Sequence, residues 1–274
     1  MAFQLFSKKY FRAGAETDCG LKRSENQDAY RCLPSRGLFI ISDGMGGGEG
    51  GRRAAEMVVR ILEQAVAVPM KHLSDITRFA HQANAEIRDY AGEHNLRGMG
   101  ATIAGILLSA FHPGDGLLFS AGDSRGYRLR NGVLEQLTTD HTIASAMGVG
   151  EEKLARHLQG ILTNVAGCGA SFFLETRELE LCPGDVYLLC SDGISRQVPE
   201  PEMKRILERA ETPAARGHAL IEASLQAGGV DNATAIVLEF DTIPEVTPDV
   251  AEEEAKCPDE PEEGVGDDAT PPTE

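Results

Sequence analysis

Nowhere among the 274 residues do two cysteines stand in a Cys-x-x-Cys pair, although there are six, Cys19, Cys32, Cys168, Cys182, Cys190 and Cys257. That absence argues against paired-thiolate zinc or redox motifs. Their positions on or beside apolar segments suit small buried hydrophobes in a reduced cytosol. No apolar run approaches the roughly 20 residues of a membrane span. The opening MAFQLFSKKYFRAG also lacks an apolar stretch of signal-peptide length. A cytoplasmic protein with no membrane partner is therefore expected. The Gly-rich stretch after Asp43 lacks the G-x-x-x-x-G-K-[ST] spacing of a nucleotide P-loop, because Gly51 is followed by Arg52 and Arg53.

Basic residues are almost missing from one region. Residues 241–274 carry 13 acidic residues and one lysine, a net of -12 out of the chain's -17, so residues 1–240 keep only -5. So mild a charge gives no broad attraction to nucleic acid or anionic membranes. The terminal segment has prolines and acidic runs but no aromatic residue, too little apolar surface to offset the entropy of ordering. We expect a disordered tail over 241–274, either solubilising or docking a basic partner, and a folded domain over 1–240.

With 42% hydrophobic residues the chain can bury a substantial core. Strand-like runs lie at 38–42, 102–109, 116–121, 127–130, 185–190 and 234–240. Apolar residues at helical spacing mark 51–68 and 74–94, with Ser74 as a candidate N-cap, and shorter helices are expected within 202–210 and 214–226. SAGDSRGYRLRNGVLEQLT reads as strand, tight turn and strand, then an Asn131-Gly132 turn into a further strand, which is antiparallel hairpin chemistry. Clustered strands with helices between the groups give an α+β layered sandwich.

Two apolar runs end in the same triplet, IISDG at Asp43 and LLCSDG at Asp192. Asp123 follows LLFSAG, Asp231 precedes ATAIVLEF, and Asp28 lies in KRSENQDAY. Any one of these can be an ordinary turn residue. Five carboxylates at strand ends, however, are costly beside a core unless paired or bound to a metal. An all-oxygen set suits Mg²⁺ or Mn²⁺ better than Zn²⁺. Gly44, lacking a side chain, leaves its backbone able to approach a metal-bound water.

In order, GLKRSENQDAY, ISDGMGGGEGG, GMGAT, AGDSRGYR, LTTDHT, CSDGIS and GGVDNATAIVLEF resemble the signature blocks of the type 2C metal-dependent protein phosphatases, closest to compact bacterial members. The resemblance spans about 17–240. It implies a four-layer α-β-β-α sandwich with two mostly antiparallel sheets. It also implies two core Mn²⁺ or Mg²⁺ ions and a possible third. Asp43 and Asp192 match the central ligands, with Asp231 completing one ion and Asp28 and the Gly44 carbonyl holding the other. Asp123 with Asp192 matches the third-ion position, and Arg23 matches the arginine that grips substrate phosphate.

The implied activity is hydrolysis of phosphoserine and phosphothreonine by a water shared between the ions, opposing a bacterial Ser/Thr kinase. The partners are then phosphorylated proteins and the chain a monomer, without nucleic acid. Met45 stands where many eukaryotic members carry a histidine proposed as general acid, so the proton donor is open. His141 is expected to be packed and hydrogen-bonded rather than catalytic, Asp140 to serve an accessory metal or the flap, and 142–180 to contain that flap. Two alternatives remain at this point: a pseudophosphatase that binds phosphoproteins without turnover, and a hydrolase of small phosphoesters.

Overall fold

The computed structural model describes residues 4–8, 10–67, 72–110, 112, 114–169, 171–209 and 211–243. In chain order the strands are β1 (Gln4–Lys8), β2 (Phe11–Asp18), β3 (Asp28–Leu33), β4 (Leu38–Met45), β5 (Gly100–Ala101), β6 (Ile103–Leu108), β7 (Asp115–Ala121), β8 (Arg125–Arg130), β9 (Val133–Gln136), β10 (Glu175–Glu180), β11 (Val186–Cys190) and β12 (Ala233–Phe240). The helices are α1 (Gly48–Ala65), α2 (Ile76–His94), α3 (Ile143–Met147), α4 (Asp192–Ser195), α5 (Glu200–Leu207) and α6 (Pro213–Gln226).

One sheet has the order β1-β2-β12-β11-β8-β9 and the other β10-β7-β6-β4-β3, with β5 added to β4, and every pairing is antiparallel.

The period of two along each strand separates three apolar layers. In β4, Leu38 and Ile40 pack with α1 and α2, while Phe39 and Ile41 turn the other way to meet Tyr187, Leu189, Ile236 and Leu238 of the facing sheet. In β11, Val186, Leu188 and Cys190 join Met203, Ile206, Leu220 and Ile221 of α5 and α6. The result is the expected four-layer α-β-β-α sandwich, and the apolar runs lie between layers because both of their faces are covered.

Several local expectations change. β2 pairs with β12 along its length, yet FRAGAETD has only one β-branched residue, Thr17, of the kind that marks a strand. Its small residues have a packing reason: a Cβ on Gly14 would stand 2.4 Å from the Ala214 backbone nitrogen, so α6 rests directly on the strand. β7 and β8 do not form a hairpin with each other. They belong to opposite sheets, so the turn carrying Asp123 crosses from one sheet to the other. The Asn131-Gly132 turn does join a hairpin, β8 to β9, with both residues at positive φ. Ser74 is not a helix cap; Asp75 accepts from the His72 backbone N–H instead. Thr142 and Thr212 do cap α3 and α6.

The fold runs past the expected boundary at 240. Asp241 accepts two hydrogen bonds from Arg12, and the Asp241 N–H donates to the Tyr10 carbonyl. The rest of the expected tail, 244–274, lies outside the described residues, as does Cys257. No helix among the described residues is long and apolar enough to cross a membrane.

Candidate metal centre

The two Ser-Asp-Gly triplets sit at equivalent places in the two sheets, at the end of β4 and just after β11. Their glycines share a physical reason. A Cβ on Gly44 would lie 2.0 Å from the Gly51 carbonyl oxygen at the start of α1, and one on Gly193 would lie 2.0 Å from the Asn232 carbonyl oxygen. Each glycine lets a neighbouring backbone close against the turn.

Asp43, Gly44, Asp123, Asp192, Asp231 and Arg23 all line one cleft of about 270 Å³ between the sheet ends. Met45 and Thr102 complete part of its wall. Asp28 lies directly beside Asp43, its register partner in the β3–β4 pair. One Asp28 oxygen, Oδ2, accepts from Ser191 Oγ at 2.7 Å and from Thr234 Oγ1 at 2.6 Å, both on the facing sheet. The Thr234 hydroxyl in turn accepts from Thr17, and Thr17 from Asn26.

The other Asp28 oxygen, Oδ1, and Asp192 Oδ1 are buried without a hydrogen-bond partner. Orphaned carboxylate oxygens are expensive in a folded interior and point to a missing cation.

Electrostatics agree with that reading. Burial, followed by repulsion from Asp28, Asp192, Asp123 and Asp231, drives the Asp43 carboxyl well above its ordinary range. Burial also pushes Asp28 up to about 6 against its two hydroxyl donors, and Asp192 up to about 7 with Asp123 adding to the repulsion. Asp123 rises for the same first reason, opposed by Arg196. The cluster cannot carry all its negative charge unaided. Hard divalent cations would supply the balance, and the carboxylate and carbonyl donors fit Mg²⁺ or Mn²⁺.

As the side chains stand, no three His, Cys, Asp or Glu among the described residues form a ready coordination cage. Two arginines hold carboxylate oxygens instead. Arg23 donates to Asp231 Oδ2 at 2.6 Å. Arg196 donates to Asp123 Oδ2 at 2.6 Å, and its Nε lies 3.3 Å from Asp192 Oδ2.

Two residues here escaped the sequence reading. Arg196 lies one helical turn after Asp192, a spacing that signals an i,i+4 pair. Buried Asn232, in the same dipeptide as Asp231, accepts from the Gln27 N–H and donates to the Cys19 and Glu25 carbonyls. It thereby fixes the loop that carries Arg23 and leads into Asp28.

Arg125 grips Asp140 with both ends of its guanidinium, at 2.9 and 2.6 Å. His141 is buried, accepting the Gly122 N–H at Nδ1 with Nε2 3.3 Å from Glu175, so it braces the turn before Asp123. The stretch expected to hold the flap contributes Gly160 and Leu162 to the cleft wall. Of the described cysteines, all free, only Cys32 and Cys190 are buried, and burial pushes both thiols up to about 12. Cys168 is exposed and Cys19 and Cys182 are half-buried, which departs from the uniform burial expected of them.

Comparison with known proteins places this geometry. The family model described as Protein phosphatase 2C matches residues 21–226. The serine/threonine phosphatase Stp of Listeria monocytogenes is 32% identical over 240 residues, covering 82% of this chain and 94% of that protein. The catalytic domain of the serine/threonine protein phosphatase PstP, solved in complex with two manganese ions, superposes with a TM-score of 0.75 at 31% identity, covering 84% of this chain and 98% of that one. PppA, a regulatory component of the type VI secretion system in Pseudomonas aeruginosa, superposes with a TM-score of 0.76 at 29% identity over 85% of this chain and 98% of that one.

Proposed function

The chain belongs to the protein phosphatase 2C family and is a serine/threonine protein phosphatase dependent on Mn²⁺ or Mg²⁺, and we propose that Asp28, Asp43, Gly44, Asp192 and Asp231 hold its two core ions, with Asp123 and Asp192 available to a third. The observation that carries this assignment is the pair of orphaned oxygens, Asp28 Oδ1 and Asp192 Oδ1, inside a crowded carboxylate cluster.

When bound, the ions supply Lewis acidity and lower the pKa of water in the cleft. The chain's own residues do the rest. Ser191 and Thr234 occupy one Asp28 oxygen and leave the other without a hydrogen-bond donor, free to take up a cation. Asn232 holds the loop on which Arg23 stands. Arg23, exposed at the rim beside Asp231, would bind the phosphate of the substrate, since its planar fork matches two phosphate oxygens. Met45 lines the cleft but has no proton to give, so the leaving oxygen takes its proton from another group or from water.

The substrates are phosphoproteins. The bacterial relatives support a bacterial Ser/Thr kinase as the source of those phosphates, and the free cysteines support a cytoplasmic location. Phosphate release from a phosphothreonine peptide tests the assignment: Mn²⁺ should activate it, EDTA abolish it, and Asp192→Asn reduce it to background while circular dichroism is unchanged. Near-normal turnover by Asp192→Asn would show that the ions sit elsewhere.

A further inference from the structure

Arg196 contacts both Asp123 and Asp192. The Asp123 side chain is nearly enclosed at 6% exposure, and Asp192 at 18%, whereas Arg196 stays 36% exposed at the mouth of the cleft. Its donors fall on Asp123 Oδ2 and Asp192 Oδ2. A guanidinium on one oxygen of each carboxylate weakens the pair as ligands of a hard cation, because it already neutralises their charge and its own positive charge repels the ion.

Arg196 is also the wall between two clefts. On one side is the carboxylate cleft; on the other is a polar cavity of about 660 Å³ that Asp123, Gln136, Thr138, Ser145 and Ser195 help to line. Asp140 in that cavity is already held by Arg125, and the Ser195 Oγ is buried there without a partner. A guanidinium leaving Asp123 therefore has both room and an unsatisfied acceptor on the far side.

We infer that Arg196 is a tethered counter-ion for Asp123 and Asp192, so that its guanidinium competes with a divalent cation for this pair of carboxylates and swings into the adjoining cavity when the ion binds both. The inference rests on the assignment of the ion site above and goes beyond it: it makes occupancy at Asp123 depend on a side chain of this chain. At low cation concentration the arginine neutralises the pair, and at high concentration the ion does.

Mn²⁺ titration of the full chain by calorimetry tests this, with binding rather than turnover as the readout. Arg196→Met should tighten the weakest Mn²⁺ step, or add one, by about ten-fold or more, the scale of one charge-assisted hydrogen bond lost by the competitor. Arg196→Lys, which keeps the charge but not the fork, should fall between, and it decides the question if Arg196→Met does not fold. In an Asp123→Asn background, Arg196→Met should give no gain. Superimposable isotherms for the wild type and Arg196→Met, with the tight steps intact, overturn the inference alone, as does a gain that persists without Asp123. Loss of every Mn²⁺ step from folded wild type overturns the ion site and the inference together.

Discussion

The hydroxyl of Ser191 donates to Asp28 across the gap between the two sheets, at 2.7 Å. The serine of one Ser-Asp-Gly triplet thus positions a carboxylate that sits beside the aspartate of the other, and the same oxygen accepts the Thr234 N–H at 3.0 Å. Ser191→Ala should leave that buried N–H without an acceptor and cost about 1–3 kcal/mol in urea unfolding of the metal-free protein. An unchanged midpoint would mean that the bridge contributes nothing.

The raised carboxyls make a prediction whose sign is definite. Burial, with repulsion from neighbouring carboxylates, pushes Asp28 up to about 6 and Asp192 up to about 7, against an ordinary value of 3.8. Between those limits the folded chain binds more protons than the unfolded one, so its stability falls as pH rises. Metal-free protein should melt at a lower temperature at pH 8 than at pH 5, and saturating Mn²⁺ should shrink the difference by replacing the protons. Greater stability of EDTA-treated protein at pH 8 would contradict the crowding.

Arg23→Ala should raise KM for a phosphothreonine peptide by about ten-fold or more, because it removes a charge-assisted contact to the phosphate. If that contact is equally strong in the ground and transition states, kcat changes little. A lowered kcat with KM unchanged would give Arg23 a different role.

Much of this site was legible because chemistry, not packing, selects its residues. Asp43, Asp123, Asp192 and Asp231 stand at ends of apolar runs, and such runs mark themselves. The strands β2 and β3 were not legible, since FRAGAETD and DAYRCL carry small or charged residues that only their neighbours explain: α6 against Gly14, the carboxylate cluster around Asp28. The turn at Asp123 misled for a related reason. Local sequence specifies that a chain reverses, but which sheet receives the next strand is decided by long-range pairing. Arg196 was missed because its i,i+4 spacing from Asp192 signals only an ordinary helical ion pair, while its second carboxylate, Asp123, lies 73 residues away.

The C-terminal boundary has its own test. A chain ending at Ile243 should keep the turnover of the full chain on p-nitrophenyl phosphate. Ending it at Phe240 removes the Arg12–Asp241 pair and the bonds to the Tyr10 carbonyl, and should lower stability by less than about 1 kcal/mol for so exposed an ion pair. A large loss of activity in the longer truncate would show that residues after 243 contribute to catalysis.

The central claim is that two Ser-Asp-Gly turns from opposing sheets hold the same ions. Anomalous diffraction from crystals grown with Mn²⁺ tests it most directly. The account predicts manganese peaks within coordination distance of both Asp43 and Asp192, with Arg23 displaced from Asp231. Peaks that touch only one of these turns, or none in the cleft at saturating Mn²⁺, would contradict it.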